Sequence, residues 1–266
     1  MKLDPRKAAE ELARRGTSLA KASTVTAAIR AELFDRQINF IDDPSRSKCA
    51  ICTRRAGKTM MWPRYCFITA LEKPGALIRI WGITRLRVKQ LLWKEFQDVA
   101  ARHKIKVKEH ETELTMKLDN GSEIRFVGAD KDQSAQRKRG DKTTLEVILE
   151  SQLFGPFLRT LVEDVAEPCL FDTQGTMCLE GTPGPVPTGY WYRLTGGSEI
   201  SGGWKSEGML VASGTEQEKE LIGAGWSCHR WSLLDNPHLP HAKDELERLR
   251  KRRNWTIDSP TYVREY

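Results

Sequence analysis

Apolar positions recur at helical spacing through PRKAAEELARRG and again through TVTAAIRAELF, so residues 5–36 are predicted helical, with a break from Gly16 to Ser23. Beyond that point the period changes. KCAIC (48–52) is a short apolar run that reads as a buried strand, and 58–72 reads as a helix that Pro63 interrupts early. ALIRIWGIT (76–84) is a second strand, and RLRVKQLLWKEFQDVAARH (85–103) a long amphipathic helix. In ETELTMKLDNGSEIRFVGA two alternating runs flank Asn120-Gly121, the pair preferred in tight hairpin turns. A polar basic connector (130–142) leads to the strand TLEVILE (144–150). A helix over about 156–166 follows, then the strand TMCLEG (176–181), which ends at Thr182-Pro183-Gly184-Pro185. Residues 196–226 are rich in Gly and Ser and carry no period; a helix at 241–253 closes the pattern. Strands alternating with helices predict an α/β fold: a mostly parallel sheet flanked by helices, with an inserted β-hairpin and a helical N-terminal extension. The division that follows is 1–36 for the extension, 37–235 for the core and 236–266 for a C-terminal helical or linker segment.

The composition narrows the class. With 266 residues, 39% of them hydrophobic, the chain can bury the core of one large domain. The balance of 43 Lys+Arg against 36 Asp+Glu gives a formal charge of +7, a surplus that suits a nucleic acid or another polyanion. No stretch approaches the roughly 18 uninterrupted apolar residues of a membrane span. The N-terminus, MKLDPRKAAEELARRG, is charged from the start, which predicts a cytosolic protein with no membrane partner. Six scattered cysteines in a chain of this size read as reduced thiols. Cys49 and Cys52 form a C-x-x-C, but positions three apart in a strand face opposite sides, so no metal site is expected there. Cys228, His229, His238 and His241 cluster in sequence without the spacing of a usual site and read as surface polar residues. The tryptophans, Trp62, Trp81, Trp93, Trp204, Trp226, Trp231 and Trp255, are read as core packing.

The chemistry concentrates after the first strand. A phosphate-binding loop needs backbone N–H groups turned into one concavity, a helix N-terminus behind it, a lysine for the terminal phosphates and a hydroxyl for Mg²⁺. Here strand 48–52 runs into Thr53-Arg54-Arg55-Ala56-Gly57-Lys58-Thr59, and a helix follows. Gly57 supplies the turn, Lys58 the charge and Thr59 the metal ligand. Cys52 stands where the usual pattern has its first glycine, so the match is imperfect. A hydrolase also needs a carboxylate at the C-terminal end of a neighbouring strand, and LEVILESQ offers Glu150.

Four segments in order make the reading specific. FDRQINFIDDPSRSKCAICTRRAGKT is similar to an adenine-contacting Gln followed by a deviant, arginine-bearing phosphate loop. LESQ resembles Asp-Glu-Ala-Gln, LEGTPGPVPTGYWYRL resembles a coupling segment, and SPTYVREY a domain exit. With these, the stretch from about Phe34 to Tyr266 resembles the ATPase domain of the large terminase subunit. That is the motor that packages DNA into tailed-phage and herpesvirus-type capsids, and its fold is of the P-loop NTPase type. The resemblance implies ATP and Mg²⁺ as cofactors. It places Gln37 at the adenine, and Thr53, Arg54, Arg55, Ala56, Gly57, Lys58 and Thr59 around the phosphates. Glu150 polarises the attacking water and shares the metal with Thr59, and Arg54 neutralises charge within the subunit. Arg139, or else Arg137, reaches into a neighbouring subunit's site, while Gly181, Thr182 and Pro183 couple phosphate loss to the DNA-gripping parts.

Two departures stand out. The Asp expected before Glu150 is Leu149; an alternative register makes Glu150 the metal group and leaves Ser151 in the catalytic place. Nothing after Tyr266 supplies the carboxylate cluster of the family's nuclease, so an isolated motor domain or a truncated chain without nuclease activity is expected. The implied partners are double-stranded DNA, the portal and the small terminase subunit. The implied assembly is a homo-oligomeric ring during packaging, or a monomer for an isolated domain, in the cytoplasm of the infected host cell. RLRKRR (248–253) is either a DNA-phosphate contact or a solvated helix face. The rival functions are a helicase-like ATPase and a nucleotide-binding assembly module with weak or lost hydrolysis.

Overall fold

The computed structural model describes residues 20, 22–129, 140–183, 189–195 and 226–266. Eight strands are described: β1 Ser47–Cys52, β2 Leu77–Gly82, β3 Val107–His110, β4 Thr115–Leu118, β5 Glu123–Gly128, β6 Leu145–Ile148, β7 Thr176–Gly181 and β8 Trp226–Trp231. They form one sheet in the order β3-β4-β5-β2-β6-β7-β1-β8. From β5 across to β8 every neighbouring pair is parallel; β3 and β4 add an antiparallel edge. Parallel strands need crossover connections on the faces of the sheet, so the central strands are buried on both sides and read as unbroken apolar runs. Ala50, Cys52, Ile78, Ile80, Val147, Leu149 and Cys178 share one core with the helices 22–30 (α1), Asp35–Asp42 (α2), Lys58–Glu72 (α3) and 85–102 (α4). Cys49, Ile51, Trp81, Ile148, Met177 and Leu179 pack on the opposite face against 157–170 and Gly189–Leu194. Cys49 and Cys52 therefore lie on opposite faces, as strand alternation requires.

The hairpin turn at Asn120-Gly121 does more than join two strands. Gly121 has φ +84°, a left-handed conformation that glycine adopts freely. Asn120 Nδ2 and Ser122 Oγ both donate to the Ala70 carbonyl, at 2.7 and 2.9 Å, so the turn satisfies an acceptor in the last turn of α3. The hairpin is thereby tied to α3, the helix that follows β1.

Several expectations are corrected. Pro63 does not interrupt α3, because it removes a single main-chain donor, the one aimed at the Thr59 carbonyl, and the remaining turns hold. α4 carries a π turn over Lys89–Trp93, which seats Trp93 and Phe96 against Phe126 at ring separations of 5.2 and 5.1 Å. The region predicted as one helix at 156–166 passes from an α turn (Phe157–Thr160) through a π turn (Leu161–Ala166) to a 3-10 turn (Glu167–Leu170) that contains Pro168. β3, an edge strand with exposed charged positions, and the short helix Pro260–Glu265 are additional elements that periodicity does not announce. Cys228 and His229 are not surface residues: both are buried in β8, and His229 Nε2 lies 2.6 Å from Asp43 Oδ2. Trp62, Trp81, Trp93, Trp226 and Trp231 are buried, Trp255 is half-buried, and Trp204 lies outside the described residues.

A buried lysine fixes α2 to the sheet. Lys48, in β1, is 1% exposed and donates to the carbonyls of Phe40, Ile41 and Asp43 at 2.9, 3.1 and 3.0 Å. It thus closes the C-terminus of α2, where a cation is favoured by the helix dipole. Burial pushes the Lys48 pKa down, and the carbonyls and Asp43 oppose that loss of charge. Lys48→Met leaves three inward carbonyls without their donor. Urea denaturation should register a loss of roughly 2–4 kcal/mol, several times that of an exposed lysine.

Candidate nucleotide-binding site

β1 is paired on both sides, by β7 and β8, and delivers the chain to the loop Thr53–Gly57 at the C-terminal edge of the sheet. α3 begins at Lys58 directly after it. Gly57 has φ +86°, and a Cβ there would lie 3.0 Å from Gln37 Nε2 and 3.2 Å from Phe34 Cε1. Glycine is thus required both by the backbone and by the space. The loop is held from outside by its carbonyls. Asn236 Nδ2 donates to Arg55 O (2.9 Å), Trp231 Nε1 to Ala56 O (2.7 Å) and Gln37 Nε2 to Gly57 O (3.0 Å). Peptide units whose carbonyls turn outward present their N–H groups inward, the geometry of an anion-binding nest. Thr53 Oγ1 accepts the Leu233 N–H at 2.9 Å, and Lys58 Nζ donates back across the loop to the Cys52 and Thr53 carbonyls at 3.2 and 3.0 Å. Thr59 is exposed in the first turn of α3.

The structure separates the roles implied for Gln37 and Arg54 from their present contacts. Gln37 is fully buried; its Oε1 accepts the Phe34 N–H at 3.4 Å, so the amide braces the loop from the protein side. Arg54 is exposed, its side chain ion-paired with Glu265 and its N–H donating to the Glu265 carbonyl at 2.8 Å. The C-terminal helix is in this way fastened to the loop. Arg139 and Arg137 lie outside the described residues.

Carboxylates meet at the ends of β6 and β7. Glu150 follows β6 with φ +52° and ψ +43°, left-handed for a side chain that ordinarily avoids that region. Its two carboxylate oxygens accept from Arg87 Nε and Nη2 at 2.9 and 2.8 Å, a forked pair from the first turn of α4. Its N–H donates to Glu180 Oε1 at 3.1 Å. Glu180 is buried at the end of β7, and its Oε2 has no hydrogen-bond partner among the described residues. Burial pushes its pKa up, and Lys58 is the main influence drawing it back. The motif reading passed over Glu180, although one charged residue inside the apolar TMCLEG was the signal. A second buried carboxylate, Glu146 in β6, accepts from Arg79 Nε (2.7 Å) and Trp81 Nε1 (2.6 Å); its side chain leaves the sheet on the face away from α3 and belongs to the core.

The segment after β7 is wired to the segment after β6. Gln152 Oε1 accepts the Thr182 N–H at 3.2 Å, and Trp191 Nε1 donates to the Thr182 carbonyl at 3.0 Å. A Cβ on Gly181 would lie 2.3 Å from Gln152 Oε1 and 2.9 Å from the Trp191 ring, so only glycine fits. Pro183 follows, buried. Gln152 and Trp191 were inside the quoted motifs without an assigned task; the structure gives them one.

Among the described residues no group of three or more His, Cys, Asp or Glu could hold a metal by itself. Mg²⁺ bound with phosphates takes only one or two protein groups and keeps several waters. The exposed Thr59 hydroxyl and the unpartnered Glu180 oxygen fit that requirement.

No family model matches the sequence, and no curated protein does. Solved structures do match. The ATPase domain of the Thermus phage P74-26 large terminase superposes with a TM-score of 0.62 at 17% identity, over 88% of this chain and 92% of that one. The large terminase of another thermophilic bacteriophage, in complex with ADP, gives 0.64 at 15% identity, over 88% and 52%. That of bacteriophage HK97 gives 0.62 at 11%, over 87% and 49%. The fold is that of the large terminase ATPase domain, and the chain spans about half the length of the last two proteins. If the outward bonds preorganise the loop, Trp231→Phe, which removes the Ala56 donor and keeps a ring in the core, should weaken ADP binding. Calorimetry is expected to show a drop of about 5–30-fold, the equivalent of one buried hydrogen bond of about 1–2 kcal/mol.

Proposed function

We propose that this chain is an ATP-hydrolysing motor domain that drives double-stranded viral DNA into a procapsid. The observation that carries the reading is the convergence of three strand ends. β1 leads to Lys58 and Thr59, β6 to Glu150, and β7 to Thr182, all at one edge of one parallel sheet. Strand ends of this kind are where α/β folds bind and act on ligands. Lys58 meets the terminal phosphates of ATP, Thr59 the Mg²⁺ that neutralises their charge, and Glu150 the attacking water. Thr182, bonded to Gln152, senses the outcome. Arg54 serves as the arginine within the subunit and Arg139 as the arginine offered to a neighbour in a homo-oligomeric ring.

DNA, the portal and the small terminase subunit are the partners of this reading, and the cytoplasm of an infected host cell its setting. A translocating motor grips phosphates and ignores bases, which suits the net charge of +7. Among the described residues no helix is long and apolar enough to cross a membrane. On the helix Ala242–Arg252 the basic run is partly engaged, Arg248 with Glu245 and Arg250 and Lys251 with Glu247; Arg252 and Arg253 stand exposed beyond these pairs.

A nucleotide-binding assembly module with weak hydrolysis is the second reading. It is favoured by Leu149 and by the Arg87 fork, which occupies both oxygens of Glu150. Turnover of Mg-ATP with and without double-stranded DNA separates the two. The motor reading expects DNA-stimulated hydrolysis that Lys58→Ala abolishes while circular dichroism stays unchanged; a parent chain that binds ATP but never turns it over supports the module.

The fork makes a further measurement informative. Arg87 is half exposed and Glu150 a quarter, so the pair contributes no more than about 1 kcal/mol to stability. Arg87→Ala is expected to shift the unfolding free energy by less than that, yet to raise DNA-free turnover by releasing Glu150. Equal DNA-free turnover in parent and variant would show that the fork does not restrain the glutamate.

A further inference from the structure

Leu149 stands where the family resemblance places an aspartate, and an alkyl side chain offers no lone pair to a metal ion or to its water. The sheet brings another carboxylate to the same level from the next strand. β6 and β7 run parallel with Ile148 beside Leu179, so the next step along both strands sets Leu149 level with Glu180. Side chains alternate between faces along a strand. Val147, Leu149 and Cys178 pack in the core on the α3 side, together with Ala50 and Cys52. Glu180 lies two positions beyond Cys178 and leaves the sheet on that same face, beside Ala50 of β1. It is therefore on the side from which α3 rises with Lys58 and Thr59.

Its bonding is unusual for a buried acid. Glu180 is 5% exposed; Oε1 accepts the Glu150 N–H, and Oε2 is buried with no hydrogen-bond partner among the described residues. A carboxylate withdrawn from water ordinarily has both oxygens satisfied, because each bare one forfeits its hydration. Lys58 acts on it as the principal opposite charge. A buried carboxylate kept half-satisfied, on the face from which α3 rises with the loop lysine, has the marks of a group held ready for a ligand. The ligand class follows from the donor: a hard oxygen anion, on the sheet face from which α3 rises with the Thr59 hydroxyl, suits a hard divalent cation.

We propose that Glu180 is the carboxylate of the Mg²⁺–nucleotide site in this chain, occupying from β7 the role that Leu149 has lost on β6. The assignment rests on the ATPase reading above and adds to it which residue serves the metal. It relieves Glu150 of metal duty and leaves that carboxylate for water. It also ties the metal to the segment Gly181–Pro183, because the group that meets the ion is the residue immediately before it. The simpler use of Glu180, holding the Glu150 N–H, needs only one of its two oxygens.

Mn²⁺ provides a probe that does not depend on turnover. Free Mn²⁺ is counted by electron paramagnetic resonance while it is titrated into the full chain saturated with ADP, and ADP affinity is measured separately in EDTA. Glu180→Gln preserves shape and the acceptor for the Glu150 N–H. It is expected to weaken Mn²⁺ binding about 10–100-fold, the range for loss of a metal-site partner. Metal-free ADP affinity should change less than about 3-fold. Glu180→Asp, which keeps the charge on a shorter arm, should lose less than Glu180→Gln. Adding Leu149→Asp to Glu180→Gln should restore Mn²⁺ affinity by returning the carboxylate to β6. Unchanged Mn²⁺ affinity in Glu180→Gln, with ADP still bound, overturns this assignment and leaves the ATPase reading standing. Failure of the parent chain to bind ADP under any condition overturns both. Should Glu180→Gln lose its fold, the graded loss in Glu180→Asp carries the test, and no loss there counts against the assignment.

Discussion

Three carbonyls turned toward the protein hold the loop Thr53–Gly57, and distant parts of the fold supply their donors. Arg55, Ala56 and Gly57 each turn a carbonyl toward the protein, and Asn236, Trp231 and Gln37 each meet one. A loop of this kind is otherwise unfavourable: Arg55 and Gly57 both have positive φ, at 63° and 86°, and a run of inward N–H groups repels itself. The three donors come from α2, from the end of β8 and from the segment after it, the last two 175 and 181 residues beyond the loop residues they meet. Each in turn is anchored: α2 by Lys48, β8 by its ladder with β1, and Asn236 by accepting the His238 N–H at 3.1 Å. The functional loop is therefore shaped by non-local contacts, while its own sequence supplies only the glycine, the lysine and the threonine.

That division explains what could be read in advance. The strands β1, β2, β6 and β7 and the helices α3 and α4 were legible, because double-sided burial leaves an apolar run and one-sided burial leaves a stripe. The Asn-Gly turn was legible from local backbone preference alone. β3 was not: at a sheet edge one face is solvated, and VKEH carries three polar or charged residues in four. Cys228 and His229 were misjudged as surface groups because DNPHLPH downstream dominated the local signal, whereas β8 is covered on both faces and Asp43 supplies a buried partner for the imidazole. In the site, Lys58 and Thr59, which open α3, and Glu150, which follows β6, are of types and spacing that a local motif can announce. Residues defined by what they touch (Trp231, Asn236, Arg87) had no local pattern to reveal them, while Glu180 showed only as the one charge in TMCLEG and Gln152 only as the end of LESQ.

Two ion pairs hold charged arms at the site in defined places, and they differ from the core pairs in burial. Arg79 and Glu146 are both fully buried and serve packing, with Trp81 Nε1 donating to the second oxygen of Glu146. Arg87–Glu150 and Arg54–Glu265 each keep their arginine substantially exposed, at 47% and 68% of the side chain. Exposed pairs are worth little to stability and open readily. A buried pair, by contrast, opens only at a large desolvation and reorganisation cost.

The ends of β6 and β7 are joined closely as well. Glu150 and Gln152 lie two residues apart after β6, and both bond to the end of β7, one through its N–H to Glu180 and the other through its side chain to the Thr182 N–H. Gly181 between them has no free volume, since its neighbours already stand at contact with the position of a Cβ. A shift of the Glu150 main chain or of the Gln152 amide therefore bears directly on the chain at Gly181–Pro183, which is closely packed. Trp191 continues the connection, because its indole N–H holds the Thr182 carbonyl and its ring packs in the core on the face opposite α3. The ends of β6 and β7 and the helix that carries Trp191 are thus joined through two hydrogen bonds and a closely packed glycine.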